Sequence, residues 1–161
     1  MSKTTFNQAL DNVEIAYSDI IDIANQSVAD LTGDLDLLID RVYNNIEHLT
    51  NDDIRDTLLR LSLRAFSFSA IKDKAAFKAT LAETLRKEAY AKEFAALDGT
   101  VSSRDTQATL NISNEIVIEH LYNLTAALFK TKLDQVHRCV DTLKTVLMSR
   151  LSEAKLCNIE G

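Results

Sequence analysis

The chain has no proline and only three glycines, Gly33, Gly99 and Gly161, in 161 residues. Average usage of about 5% would supply roughly eight prolines. Proline and glycine are the residues that punctuate turns, and tight hairpins lean on glycine at positive φ. A chain this poor in both cannot cut itself into many short strands, so long helices follow. The expected fold is all-α, a long-helix bundle. Apolar residues at 46% and charged residues at 26% argue against a disordered chain. The length suffices for one domain with its own core, or for a few long helices that self-associate.

Apolar spacing divides this single helical domain, residues 1–161, into four segments. Phe6, Leu10, Val13, Tyr17, Ile20, Ala24, Val28 and Leu31 recur at steps of four and three, the stripe of an amphipathic helix. Gly33 stands where a left-handed residue would end that helix, and Asp34 can cap the next. Leu35, Leu38, Ile39, Val42, Tyr43, Ile46 and Leu49 give a second stripe, so residues 1–49 read as an acidic helical hairpin. Thr50 or Asn51 can cap a basic helix region over 50–97, with Asp52 and Asp53 favoured by its dipole. Asp98-Gly99-Thr100 is the clearest stop, opening a polar connector over 98–114 in which Ser103 can cap a short helix, Arg104 to Leu110. A long coiled-coil-like helix fills 115–156, with a step of five between Leu128 and Leu133 that breaks its repeat. So long a helix needs cover, and homo-oligomerisation through it, through the first helix, or through both is expected.

Recognisable catalytic chemistry is sparse. No P-loop, G-x-G-x-x-G or G-x-S-x-G occurs. A di-iron bundle wants a Glu-x-x-His pair on each of two helices, and the nearest match is Asp134-Gln135-Val136-His137, once. Glu119 and His120 diverge by 100° beside Glu115, and Cys139 lies two residues from His137, too oblique for a Cys–His pair. A buried cysteine is the simpler reading. No enzyme activity, metal or cofactor is expected. No run of 18 apolar residues predicts a membrane span, and MSKTTFNQALDN lacks the apolar core of a signal peptide. Two cysteines, Cys139 and Cys157, fit a reduced, cytoplasmic setting.

Charge is unevenly placed. Residues 1–53 carry eleven acids and two bases, net −9; residues 54–93 carry nine bases and five acids, net +4; the remainder is close to balanced. Within 54–93 the candidate phosphate contacts are Arg60, Arg64, Lys72, Lys74, Lys78, Arg86, Lys87 and Lys92. On a helical wheel Lys74, Lys78 and Lys92 fall within about 40° of one another, together with Leu81 and Leu85, whereas Lys72, Arg86 and Lys87 lie elsewhere. The plainer alternative is a core-facing helix whose lysines run their stems along apolar neighbours and keep their heads in water. Of the aromatic residues available for stacking bases, Phe77, Tyr90 and Phe94, the first reads as core.

The order of the blocks KDKAAFKATLAETLRKEAYAK, LDGTVSSRDTQATL and EIVIEHLYNLTAALFKTKLDQVHRCVDTLKTVLMSRLSEAKL resembles that of small helical accessory proteins of phages, in particular the UvsY family of recombination mediators. The resemblance is one of order and texture over residues 58–156. It implies an oligomeric helical protein that binds single-stranded DNA and a recombination partner, with Lys72, Lys74 and Lys78 as DNA contacts. The acidic first segment departs from that pattern. It supports an alternative, an anti-defence inhibitor or adaptor whose acids mimic DNA phosphates: Glu14, Asp19, Asp22, Asp30, Asp34, Asp36 and Asp40. A purely structural phage component is a third possibility.

Overall fold

The computed structural model describes the backbone of residues 3–157 and the side chains of residues 18–156. Four helices follow one another: α1 (Lys3–Asn45), α2 (Asn51–Ala96), α3 (Val101–Asn111) and α4 (Ser113–Cys157), with no strand among the described residues. The all-α expectation holds. The side chains of Phe6, Leu10, Val13, Glu14, Tyr17 and Cys157 lie outside the described set.

The hairpin expected at Gly33 is not there. α1 passes straight through Gly33, which has no positive φ, and the chain turns instead over residues 46–50. Ile20, Ala24, Val28, Thr32, Leu35, Ile39 and Val42 are buried in steps of four and three with no interruption. Gly33 falls on the opposite side, where nothing lies within 4 Å of a Cβ built on it. A glycine inside a helix costs only about 1 kcal/mol against alanine, which one buried leucine outweighs. Leu31, expected in the stripe, is exposed, and Thr32 takes its place with its hydroxyl donating to Asp36 (3.1 Å).

The other boundaries follow from local chemistry. Thr50 Oγ1 accepts from the Asp53 amide (3.1 Å), and Asp53 Oδ2 accepts from the Thr50 amide (3.1 Å) and hydroxyl (2.6 Å), a reciprocal cap that starts α2. Gly99, at φ +122°, ends the α2 segment. Thr100, rather than Ser103, caps α3 by accepting from the Ser103 amide, which moves that helix start to Val101. One buried residue, Ile112, joins α3 to α4.

The chain divides into two compact units, Met1–Val28 with Asp73–Leu128 (unit 1) and Ala29–Lys72 with Phe129–Gly161 (unit 2). In unit 2, ion pairs Arg41–Asp53 (3.2 Å) and Arg64–Asp34 (2.9 Å) mark α1 and α2 as antiparallel. Lys132 pairs with Asp36 (2.5 Å), and Arg150 donates to the carbonyls of Ile46 (3.2 Å), Glu47 (3.3 Å) and Leu49, so α4 runs parallel to α1. Those carbonyls lack helical partners where α1 ends, and the guanidinium supplies their donors. Ile54, Leu61, Val136 and Leu143 are fully buried, and Phe68 meets Phe129 edge-on at 5.4 Å. Phe129 fills the gap that the step from Leu128 to Leu133 left in the repeat, and the gap coincides with the unit boundary.

In unit 1, α2 and α4 are antiparallel, joined by an ion pair from Arg86 to Glu119. Its described core is built from small residues, Ala24, Ala75, Ala79, Ala82 and Ala108, beside Ile20, Val28 and Ile112.

Candidate nucleic-acid interface

The eight cations proposed for phosphate contact sit in different surroundings. In unit 2, Arg60 is held by Asp56 one turn away (2.9 Å) and Arg64 by Asp34 of α1. Lys72 is half-buried on the core-facing side of α2 and does not share a face with Lys74 and Lys78. In unit 1, Arg86 is half-buried and its Nε donates to Glu119, so it serves packing. Lys87 pairs with Glu83 (2.6 Å), whose carboxyl is held below its ordinary value first by that hydrogen bond. Exposed ion pairs of this kind stabilise by under about 1 kcal/mol and are screened by salt. Lys74, Lys78 and Lys92 are exposed on one side of α2. The Lys78 ammonium lies 5.7 Å from the centre of the Tyr122 ring, within cation–π range.

Phe77 departs from the expected core position. Expected in the core, it is 68% exposed. The buried side of this part of α2 runs Ala75, Ala79, Ala82, and Phe77 lies about 160° from both Ala75 and Ala79 around the helix. Its ring therefore stands in water, three residues after Lys74 and one before Lys78. The other two aromatic candidates are committed to packing. Tyr90 stacks on Phe94 (5.8 Å) and donates to Asp105 (2.6 Å), which holds its phenol above the ordinary value. Arg104 lies 4.2 Å over the Phe94 ring and donates to the Phe94 carbonyl.

An apolar groove of about 380 Å³ runs between α2 and α4, lined by Leu81, Ala82, Leu85, Ile118 and Tyr122, with Lys78 and Glu115. Tyr122 and Ile118 escaped the sequence reading, because only the antiparallel register of α2 and α4 sets them opposite Leu81 and Leu85. Nothing in their own spacing signals it.

The acids of the alternative reading are scattered in role. Asp34 pairs with Arg64 and Asp36 with Lys132, and Asp19, Asp22, Asp30 and Asp40 lie exposed on α1. Glu14 lies outside the described side chains. No three His, Cys, Asp or Glu side chains come together as a metal site among the described residues. Cys139 is buried, as expected, and burial pushes its thiol up, away from nucleophilic chemistry. No helix of the described residues is long and apolar enough to cross a membrane.

Comparison with protein-family models, characterised proteins and solved structures finds no match to this chain.

Proposed function

We propose that unit 1 binds single-stranded nucleic acid along the outer side of α2. The observation that carries this reading is Phe77, an exposed ring on the same helix as the exposed Lys74 and Lys78, which lie about 60° and about 100° from it on one side. A base has a π-face whatever its sequence, and stacking on an aromatic ring contributes about 1–3 kcal/mol per base. The lysines then neutralise phosphates of a strand running along that side of the helix, and Lys92 extends the track. The groove lined by Lys78 and Tyr122 offers a second apolar surface for a base of the same strand. The acidic balance of the whole chain gives no long-range attraction to DNA, so the affinity is local and without sequence preference. Joined to the resemblance to UvsY-type mediators, this makes the chain a non-enzymatic phage-type accessory of DNA recombination or replication, with a recombination protein as partner, in the cytoplasm of a bacterial host.

Binding of a labelled single-stranded oligonucleotide to three proteins tests it. Phe77→Ala loses roughly tenfold in affinity, and the double variant Lys74→Glu, Lys78→Glu binds weakly or not at all, both with unchanged helicity. Full binding by the double variant would remove this site. A second reading, the adaptor that uses acids on α1, is favoured by the exposure of Asp19, Asp22, Asp30 and Asp40; changing these four to Asn leaves DNA binding intact and weakens capture of a basic partner.

A further inference from the structure

In unit 2, α2 is apolar on two opposite sides. Ile54, Thr57, Leu61, Ala65 and Phe68 form the buried side. Leu59, Leu63 and Phe66, spaced four and three apart, stand on the far side at 60%, 61% and 84% exposure. Leu37 of α1, 72% exposed, lines the same groove as Leu63. An amphipathic helix that ends its burial at one core is polar on its outer side; a helix apolar all round is covered on both. We infer that this face of unit 2 is a self-association surface, and that its occupant is the same face of a second copy of the chain.

Two features select a second copy. The first is charge. The rim of the patch carries Arg60 and Arg64 with Asp56 and Asp34, two cations and two acids already paired at 2.9 Å. A rim with equal numbers of both signs is complementary to itself, since a two-fold axis brings the Arg of one copy near the Asp of the other. Nucleic acid asks for a net positive rim, and this one is neutral. The second is area. Leu37, Leu59, Leu63 and Phe66 together leave on the order of 450 Å² of apolar side chain in water, about the apolar share of a standard interface of roughly 800 Å² per partner. The inference is independent of the nucleic-acid reading, which concerns unit 1.

Sedimentation velocity across about 1 to about 100 µM protein tests it by mass action. Wild type shifts from monomer towards dimer over that range, and the double variant Leu63→Glu, Phe66→Glu stays monomeric with unchanged helicity, since both positions are exposed. A second measurement covers the case in which that variant folds poorly. Leu63→Cys, in a Cys157→Ser background and with Cys139 buried, is treated with a short bis-maleimide. Leu63 is the middle residue of the patch and faces its own mate across a two-fold axis, so a covalent dimer forms. A wild type that remains monomeric throughout, a double variant that dimerises as well as wild type, or a Leu63→Cys protein that gives no covalent dimer would each overturn the inference.

Discussion

Units 1 and 2 share the helices α1, α2 and α4, with α3 in unit 1 alone, yet their described cores are built differently. Unit 2 buries Leu35, Ile39, Val42, Ile54, Leu61, Phe68, Phe129, Leu133, Val136, Val140 and Leu143. Unit 1 buries, among its described residues, five alanines with Ile20, Val28 and Ile112, and leaves Phe77, Leu81, Leu85 and Ile118 in contact with water. A fully buried Leu or Phe contributes about 1.5–3 kcal/mol, whereas an alanine adds about one methyl group's worth, near 0.8 kcal/mol. The stability of the described core is therefore concentrated in unit 2. The described core of unit 1 is made of small residues, and both units keep large apolar side chains on their surface, Phe77 in unit 1 and Leu59, Leu63 and Phe66 in unit 2. One helix, α2, supplies leucine and phenylalanine to the core of one unit and alanine to the core of the other.

The contrast breaks first at the cores. Leu143→Ala removes a fully buried side chain from unit 2 and costs about 2–5 kcal/mol in urea unfolding at constant m-value; a loss under about 1 kcal/mol would mean unit 2 is loosely packed. Ala24→Leu asks the opposite question of unit 1, where Ala24 is fully buried. Overpacking a buried alanine costs about 1–3 kcal/mol, and a neutral result would show slack around Ala24. Thr57 is fully buried in unit 2 with its Oγ1 left without a hydrogen-bond partner. Thr57→Val removes that orphaned hydroxyl and stabilises by about 1 kcal/mol, read as a higher midpoint in the same titration. Gly33→Ala stabilises by about 0.5–1 kcal/mol, because the added methyl meets nothing and α1 is helical there.

The smallest effect concerns the start of α2. The Thr50 hydroxyl bonded to Asp53, followed by the Thr50 amide, holds the Asp53 carboxyl below its ordinary value of 3.8. A folded value below the unfolded one makes the contribution complete above about pH 4, and it is lost as pH falls through the lowered folded value. An acid titration followed by circular dichroism shows this step in wild type; Thr50→Ala flattens it.

Local signals in the sequence carried the helical class, the Thr50 cap, the stop at Gly99 and the extent of α4. Each depends on residues within a turn or two of one another. Gly33 misled because glycine is equally compatible with a helix end and with an outward position on a continuous helix, and only the burial of Thr32 and Leu35 decides between them. Phe77 misled because a phenylalanine amid alanines and lysines reads as the one large apolar anchor of its turn. The buried side of that part of α2 proved to be Ala75, Ala79 and Ala82. Wheel positions did separate Lys74, Lys78 and Lys92 from Lys72, Arg86 and Lys87. The partners of those charges, Asp34 for Arg64 and Glu119 for Arg86, lie 30 and 33 residues away and needed the tertiary register. The same holds for Arg150, whose carbonyl partners are over 100 residues distant.

The most direct test of the central claim is fluorescence anisotropy of a labelled single-stranded oligonucleotide titrated with wild-type protein at two salt concentrations. Phosphates on Lys74, Lys78 and Lys92 give a slope of about −2 in log K against log salt, so affinity falls about 20-fold between about 50 and about 200 mM salt. Wild-type protein is expected to show that loss. No binding at about 50 µM protein in low salt, or an affinity indifferent to salt, would contradict it.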